Sequence, residues 1–285
     1  MKKLLISSLV GLLAPTLASA FILPTRTILQ KTSDNAGNGI YAIEQEVQFA
    51  NGDDTVHVRE TWLIDNDRTM RLTVTGTKEL QGNFRLQFLY TGGQRWTVVN
   101  GNRKSEKTPD DFLERFLNFR NAEQFATALT NLKILPSGAY SKRNMTVKKG
   151  NEISYEPESW VRYSRTGGVP NYAFGVATPE DDKNNNPGLW IEQDQFVIRK
   201  IRLPSQVEMT ADSYNQFAKG LYYPRSRTIR WGNNTANIRL ISASARPTTA
   251  GSQFQPNSLD INAKVDGLEK LAAKDAIIEF YSRFR

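Results

Sequence analysis

The sequence predicts a mainly β protein with a few helices, an α+β chain built on an antiparallel meander. Three observations carry this. Between Tyr41 and Val98, apolar residues recur at every second position in five successive runs separated by turn residues. A phenylalanine-rich stretch at 108–130 switches to helical spacing. Helical spacing returns over Val265–Phe284.

Residues 1–20 stand apart. Lys2 and Lys3 precede an apolar run from Leu4 to Thr16, and Ala18-Ser19-Ala20 has the small side chains of a cleavage site. The run is too short to span a bilayer as a helix. It is expected to be a cleaved signal peptide, so the exported chain starts near Phe21 and works in the periplasm of a two-membrane envelope, soluble after cleavage. The next 240 residues, 21–260, are expected to form one domain, with 261–285 a helical extension.

A short helix is expected from Thr25 to Ser33, ended by the glycine and asparagine cluster that follows. In the first strand, Tyr41, Ile43, Val47 and Phe49 share a face, with Gln45 the polar exception. Asn51-Gly52-Asp53-Asp54 is a hairpin turn. The return strand puts Val56, Val58, Trp62 and Ile64 on one face and His57, Arg59 and Thr61 on the other. Asn66-Asp67 turns the chain again. Met70, Leu72 and Val74 follow, then Phe84, Leu86, Phe88 and Tyr90, and Gly92-Gly93 leads into Trp96 and Val98. One face of this meander is wet and the other must be covered.

The cover is expected from the next segment. Thr108-Pro109-Asp110-Asp111 reads as a helix start, with an N-cap, a first-turn proline and acids against the dipole. Phe112, Leu113, Phe116, Leu117, Phe119, Phe125 and Leu129 then recur at helical spacing. Further strands are expected at Asn144–Val147, Glu152–Tyr155, Tyr172–Val176, Leu189–Glu192, Gln195–Leu203, Thr228–Trp231 and Ala236–Ile241. The polar stretch Thr178–Gly188 is expected as a loop. The terminal helix should turn Leu268, Leu271, Ala272, Ile278 and Tyr281 to one side.

Composition excludes several kinds of chemistry. There are no cysteines, so disulfides, thiol catalysis and thiolate metal sites are absent. One histidine, His57, rules out a multi-histidine metal centre and leaves a serine triad only one possible base. Asp182, Asn184 and Asn186 have the alternate spacing of a calcium loop, but Pro187 stands where that loop needs glycine. The acid pairs Asp53-Asp54, Asp110-Asp111 and Asp181-Asp182 all fall in turns or a helix cap. No cofactor and no metal are therefore expected. Without Lys2 and Lys3 the 37 basic residues fall to 35 against 29 acids, a net charge of +6. In an exported chain this suits anionic lipid, an acidic partner or plain solubility, and not nucleic acid.

Several stretches resemble the periplasmic lipoprotein carriers, the LolA-like and LolB-like proteins and their lipoprotein-sorting relatives. Glu60-Thr-Trp-Leu-Ile-Asp-Asn-Asp-Arg-Thr-Met-Arg-Leu is similar to that family's second-to-third strand turn. Thr91-Gly-Gly-Gln-Arg-Trp-Thr-Val resembles a later strand, and Gly188–Leu203 a hairpin. Phe254-Gln-Pro256 resembles the closing motif, and 109–130 sits where the family keeps a lid helix. Asp65, with Arg68 and Arg71 nearby, stands where the carriers have a lid-locking arginine.

The resemblance implies an unclosed antiparallel β-barrel, a half-barrel, with a helical lid and here a C-terminal helix. It implies a non-enzymatic carrier that shields the acyl chains of a lipid or lipidated protein, with assembly partners at the inner or outer membrane. The expected apolar cavity comprises Val47, Phe49, Val58, Trp62, Leu72, Phe84, Leu86, Phe88 and Trp96, beneath a lid of Phe112, Phe116 and Phe119. The chain is expected to be a monomer. The rival expectation is an envelope sensor or regulatory binding module of the same fold. A hydrolase is disfavoured by the single histidine and the lack of a motif.

Overall fold

A computed structural model describes residues 22–141, 145–148, 152–155, 158–175 and 186–285. The leader, most of the 178–188 loop, and Asp181, Asp182 and Asn184 lie outside the described residues.

α1 (Thr25–Asp34) opens the described chain. Its first turn is tied down from afar, because the Thr25 amide donates to Glu158 Oε2 at 2.9 Å. A carboxylate there satisfies a donor that the helix itself cannot and faces the positive end of the dipole. The meander follows as β1 (Ile40–Asn51), β2 (Asp54–Asn66), β3 (Thr69–Gly76), β4 (Phe84–Thr91), β5 (Gln94–Val99) and β6 (Asn102–Lys107). The five expected strands are all present. β6 was not foreseen, because Asn-Arg-Lys-Ser-Glu-Lys has no apolar face and every residue in it is exposed. Such a charged strand suits a sheet edge, where it resists pairing with another chain.

The phenylalanine-rich segment does not form the single helix that its spacing predicts. It folds as a 3-10 turn, Leu113–Leu117, followed by α2 (Ala122–Asn131). Phe112 is extended, with φ −66° and ψ 95°, so a helix starting at Thr108-Pro109 never forms. The cap is Asn121, whose side chain accepts from the Gln124 amide at 2.9 Å. The reason is burial. Phe112, Leu113, Phe116, Leu117 and Phe119 are all inside. Glu114 is inside as well, on the opposite side of a helical wheel, and one face of a continuous helix could not bury all six.

The second half comprises β7 (Met145–Lys148), β8 (Glu152–Tyr155), β9 (Val161–Thr166), β10 (Val169–Phe174), β11 (Gly188–Glu192), β12 (Ile198–Arg202), β13 (Glu208–Gln216), β14 (Tyr222–Trp231) and β15 (Asn234–Arg246). β9 and β13 are additions to the sequence expectation. β16 (Lys264–Val265) and α3 (Lys274–Arg283) end the described chain. α3 is shorter than expected and its phase differs: Ile277, Phe280 and Tyr281 are buried while Ile278 is exposed. The stretch before it is used up by pairing Val265 with Phe84 and by turns around Leu268.

One antiparallel sheet runs β6-β5-β4-β3-β2-β1-β15-β14-β13-β12-β11-β10-β9, with β16 added against β4. β7 and β8 form a separate hairpin. β6 and β9 do not pair with one another, so the sheet is an unclosed half-barrel. Its seam is β1 with β15, where a register shift at Glu44/Gln45 bends the sheet. One face carries the main core with the three helices against it. A smaller cluster of Ile40, Leu89, Val98, Phe254 and Leu259 lies on the other face, beneath the 248–258 segment.

Gly76 closes β3 where the chain crosses Leu80. A Cβ there would lie 2.4 Å from the Leu80 carbonyl oxygen and 2.5 Å from Leu80 Cβ, and Leu80 is wholly buried. Gly76→Ala should therefore lower stability by about 1–3 kcal/mol. Urea unfolding checks this, and an unchanged midpoint would contradict it.

Candidate functional site

The inward face of the half-barrel is built row by row. Ile43, Trp62, Leu72 and Phe88 lie opposite one another across β1 to β4. Val47 faces Val58, and Phe49 faces Val56. Val74 faces Leu86, and Phe84 ends the row at β16. Eight of the nine expected cavity residues thus belong to one buried cluster: Val47, Phe49, Val58, Trp62, Leu72, Phe84, Leu86 and Phe88. Trp96 does not. The Gly92-Gly93 turn sets Tyr90 opposite Arg95 and Leu89 opposite Trp96, so Trp96 faces outward onto the smaller cluster. Arg95 takes the inward place.

The lid rings stack on this face. Phe112 lies 4.3 Å from Tyr90 with their planes 7° apart, and 6.2 Å from Trp62. Phe116 leans on Phe119 at 6.0 Å, and Phe119 stacks on Phe125 at 4.9 Å. Such ring pairs stabilise by about 0.5–1.5 kcal/mol beyond the area they bury. α3 supplies a second set of rings. Phe280 meets Phe49 edge-on at 5.1 Å, Tyr281 lies 5.6 Å from Phe84, and Phe284 meets Trp231 at 5.1 Å. The concave face is therefore occupied by the chain's own lid and C-terminal helix.

Polar groups are embedded in this interior. Gln45 and Glu60 are cross-strand partners in the apolar register, and both are fully buried. Gln45 Nε2 donates to Glu60 Oε2 at 2.5 Å and Trp62 Nε1 donates to the same oxygen at 3.0 Å. Arg285 Nε donates to Glu60 Oε1 at 2.9 Å. Across the barrel, Arg227 Nη1 donates to Glu114 Oε2 at 2.8 Å, and its other nitrogen reaches Gln45 Oε1. The Tyr223 hydroxyl donates to Glu114 Oε1. Burial alone would raise the Glu114 carboxyl. Arg227, Arg285 and the Tyr223 hydroxyl outweigh it and hold the carboxyl below the usual range. Sequence reasoning saw only Gln45 of this set. The signal was a polar residue in an apolar register, which Glu60 and Arg227 repeat.

Ionic ties add to the ring contacts, joining the covers to one another and to the sheet. Arg283 of α3 pairs with Asp111 at 2.7 Å, and Asp111 also accepts from Ser205 Oγ at 2.7 Å. Arg120, between the 3-10 turn and α2, lies 3.4 Å from Asp65 on β2 and donates to the Gly39 carbonyl. Beside the lid a cleft of about 360 Å³ is lined by Asp67, Arg68, Tyr90, Phe112, Arg115 and Phe119, among others. Burial pushes the Asp67 carboxyl up, against the opposing pull of Arg115. His57 is remote from all this, on the outward side of β2 with Nδ1 3.3 Å from Glu46. Among the described residues no three His, Cys, Asp or Glu side chains come together as a metal site, and no helix is long and apolar enough to cross a membrane.

No protein-family model matches this sequence and no curated protein is similar to it. Solved structures do match. A LolA superfamily protein from Nitrosomonas europaea is 11% identical, with a TM-score of 0.52 over 84% of this chain and 100% of that one. A domain assigned to the outer membrane lipoprotein-sorting proteins, from Vibrio parahaemolyticus, is 11% identical, with a TM-score of 0.47 over 82% and 97%. At such identity the likeness is one of fold: this chain has the LolA-like half-barrel architecture.

The Glu114–Arg227 pair gives a test of the interior. Arg227→Met leaves Glu114 buried and unpaired, and should cost about 3–5 kcal/mol at neutral pH. The Glu114 carboxyl is depressed in the folded chain, so its stabilisation is present above the unfolded value of about 4.3 and lost as pH falls through the folded one. The urea midpoint should drop between pH 6 and pH 3, and Glu114→Gln should flatten part of that drop. A slope unaltered by Glu114→Gln would contradict the assignment.

Proposed function

We propose that the protein is an exported carrier that binds acyl chains of a lipid or lipidated protein in the half-barrel, without chemistry. The observation that carries this is the construction of the interior. A continuous apolar face of the sheet is covered by separate short pieces, the 3-10 turn, α2 and α3, and none of these helical pieces is a strand of that sheet. Covers of this kind can leave without breaking a ladder of backbone hydrogen bonds, whereas a third sheet layer could not. The leader-like residues 1–20 support export, and residues 21–260 with the 261–285 extension make the working body.

The energetics favour such a role. Each buried methylene gains about 0.8 kcal/mol, so a palmitoyl chain gains roughly 12 kcal/mol gross. That exceeds what is lost on lifting two or three buried rings at about 1.5–3 kcal/mol each. A chain entering beside Phe112, where the cleft already opens, displaces aromatic contacts and replaces them with its own.

A fluorescent fatty-acid probe should bind in the micromolar range and be displaced by palmitate. Amide exchange should be faster in 112–131 and 274–283 than in 41–49 and 84–90, because regions that open come from the low-stability end of a fold. Added palmitate should change exchange in the covers and not in those strands. Absence of probe binding, together with equal slow exchange throughout, would overturn the proposal. His57→Ala should leave binding and stability within about 0.5 kcal/mol, as for a surface change away from the site.

A further inference from the structure

The interior charges are divided unevenly between the sheet and its covers. Glu114 and Arg227 neutralise one another at 2.8 Å. Glu60 projects from β2 into the apolar face, and among the described residues its one ion pair is with Arg285, both side chains being wholly buried. Framework donors fix one Glu60 oxygen, through Gln45 and Trp62. The other oxygen is served by Arg285 Nε at 2.9 Å. So the cation that balances Glu60 arrives with the C-terminal segment, together with the rings of Phe280 and Phe284.

The fit of Arg285 is incomplete. It reaches Glu60 through a single nitrogen and not as a two-point fork. Nη1 turns to the Phe284 carbonyl at 3.2 Å, and Nη2 has no hydrogen-bond partner among the described residues. The guanidinium lies over the Trp62 ring at 5.6 Å and the Phe280 ring at 4.6 Å. The segment is also held by the inward-facing Arg95 of β5, which donates to the carbonyls of Tyr281 at 3.1 Å, Ser282 at 3.0 Å and Arg285. α3 thus presents an apolar body with a cation at its inner end, held by contacts that no sheet pairing reinforces.

We propose that α3 with Arg285 occupies the ligand site as an internal stand-in, and that the true occupant is an amphiphile with one aliphatic chain and an ammonium head that pairs with Glu60. This rests on the acyl-binding reading above and names its head group. When α3 leaves, Glu60 keeps Gln45 and Trp62 as donors but loses Arg285, and Arg227 is left to serve both Glu60 and Glu114, so the interior is one cation short, which is costly unless the guest brings a cation. A fatty acid would put a second anion beside it and should bind through its chain alone, more weakly than an amine of the same length.

The test uses the full chain and three probes of equal chain length: dodecylammonium, dodecanoate and neutral dodecyl maltoside, each titrated calorimetrically near neutral pH. Dodecylammonium should bind at least about tenfold more tightly than dodecanoate, the difference expected of one charge-assisted contact. Its binding should speed amide exchange in 274–285, because α3 is displaced. Dodecanoyl-lysine amide, with its ammonium on a side chain, compared with dodecylammonium reports whether the cation belongs to a lipid head or to a lipidated peptide. Glu60→Gln keeps an acceptor for Trp62 and should abolish the preference. Arg285→Gln removes the competing cation and should tighten dodecylammonium alone, which keeps the test open if Glu60→Gln does not fold. Failure of all the probes to bind would overturn the acyl-binding reading itself. Equal binding of the amine and dodecanoate, or an amine preference that persists in Glu60→Gln or leaves 274–285 exchange unchanged, would overturn the head-group assignment and leave that reading standing.

Discussion

A sheet that curls without closing leaves its concave side as an apolar surface that other pieces of chain must keep from water. Everything else in this molecule answers to that constraint. The rings of Phe49, Trp62, Phe84 and Phe88 line a trough and not a sealed barrel. In a closed small barrel the facing strands would fill the interior with their own side chains. Here β6 and β9 stay apart, and the interior is filled by Phe112 from the lid and by Phe280 and Phe284 from α3. The covers are short because their task is to present rings and not to add strands.

The buried charges decide how those covers sit. A carboxylate in an apolar interior is tolerated only when paired and hydrogen-bonded. Glu114 therefore fixes the 3-10 turn on β14 through Arg227 and Tyr223, and Glu60 fixes the residues just after α3 on β2 through Arg285. Desolvation offsets much of the attraction within such pairs, whereas removal of one partner leaves an uncompensated buried charge. The same pairs explain why the phenylalanine-rich segment breaks after Leu117. Glu114 is drawn inward on one side while Phe112 is held against Tyr90 on another, and no straight helix satisfies both.

Much of the trough was legible in the sequence. Period-two alternation placed β1 to β4 and the inward residues Val47, Val58, Leu72 and Phe88, because a one-residue slip would turn a whole apolar set to water. β5 escaped this logic. Trp96 and Val98 alternate just as well as their predecessors, yet they face outward, because a second apolar cluster beneath Phe254 and Leu259 accepts them there. Alternation marks two faces and is silent on which one is inside when both are partly covered. β6, β9 and β13 were missed for a related reason: their residues are largely polar or half-exposed, and they are strands only because a neighbour offers a ladder.

The sequence by itself determined the mainly β class, the meander, the apolar face that needs a cover and the absence of thiol or multi-histidine chemistry, since these follow from local periodicity and composition. Tertiary structure alone decided that Glu60, 225 residues from Arg285 along the chain, would meet it inside the half-barrel. It also decided that Phe280 and Phe284, and not an empty space, would lie against Phe49 and Trp231. The physical reason is that pairing of buried charges and filling of a cavity depend on which distant groups share a low-dielectric space. Local patterning carries no record of that.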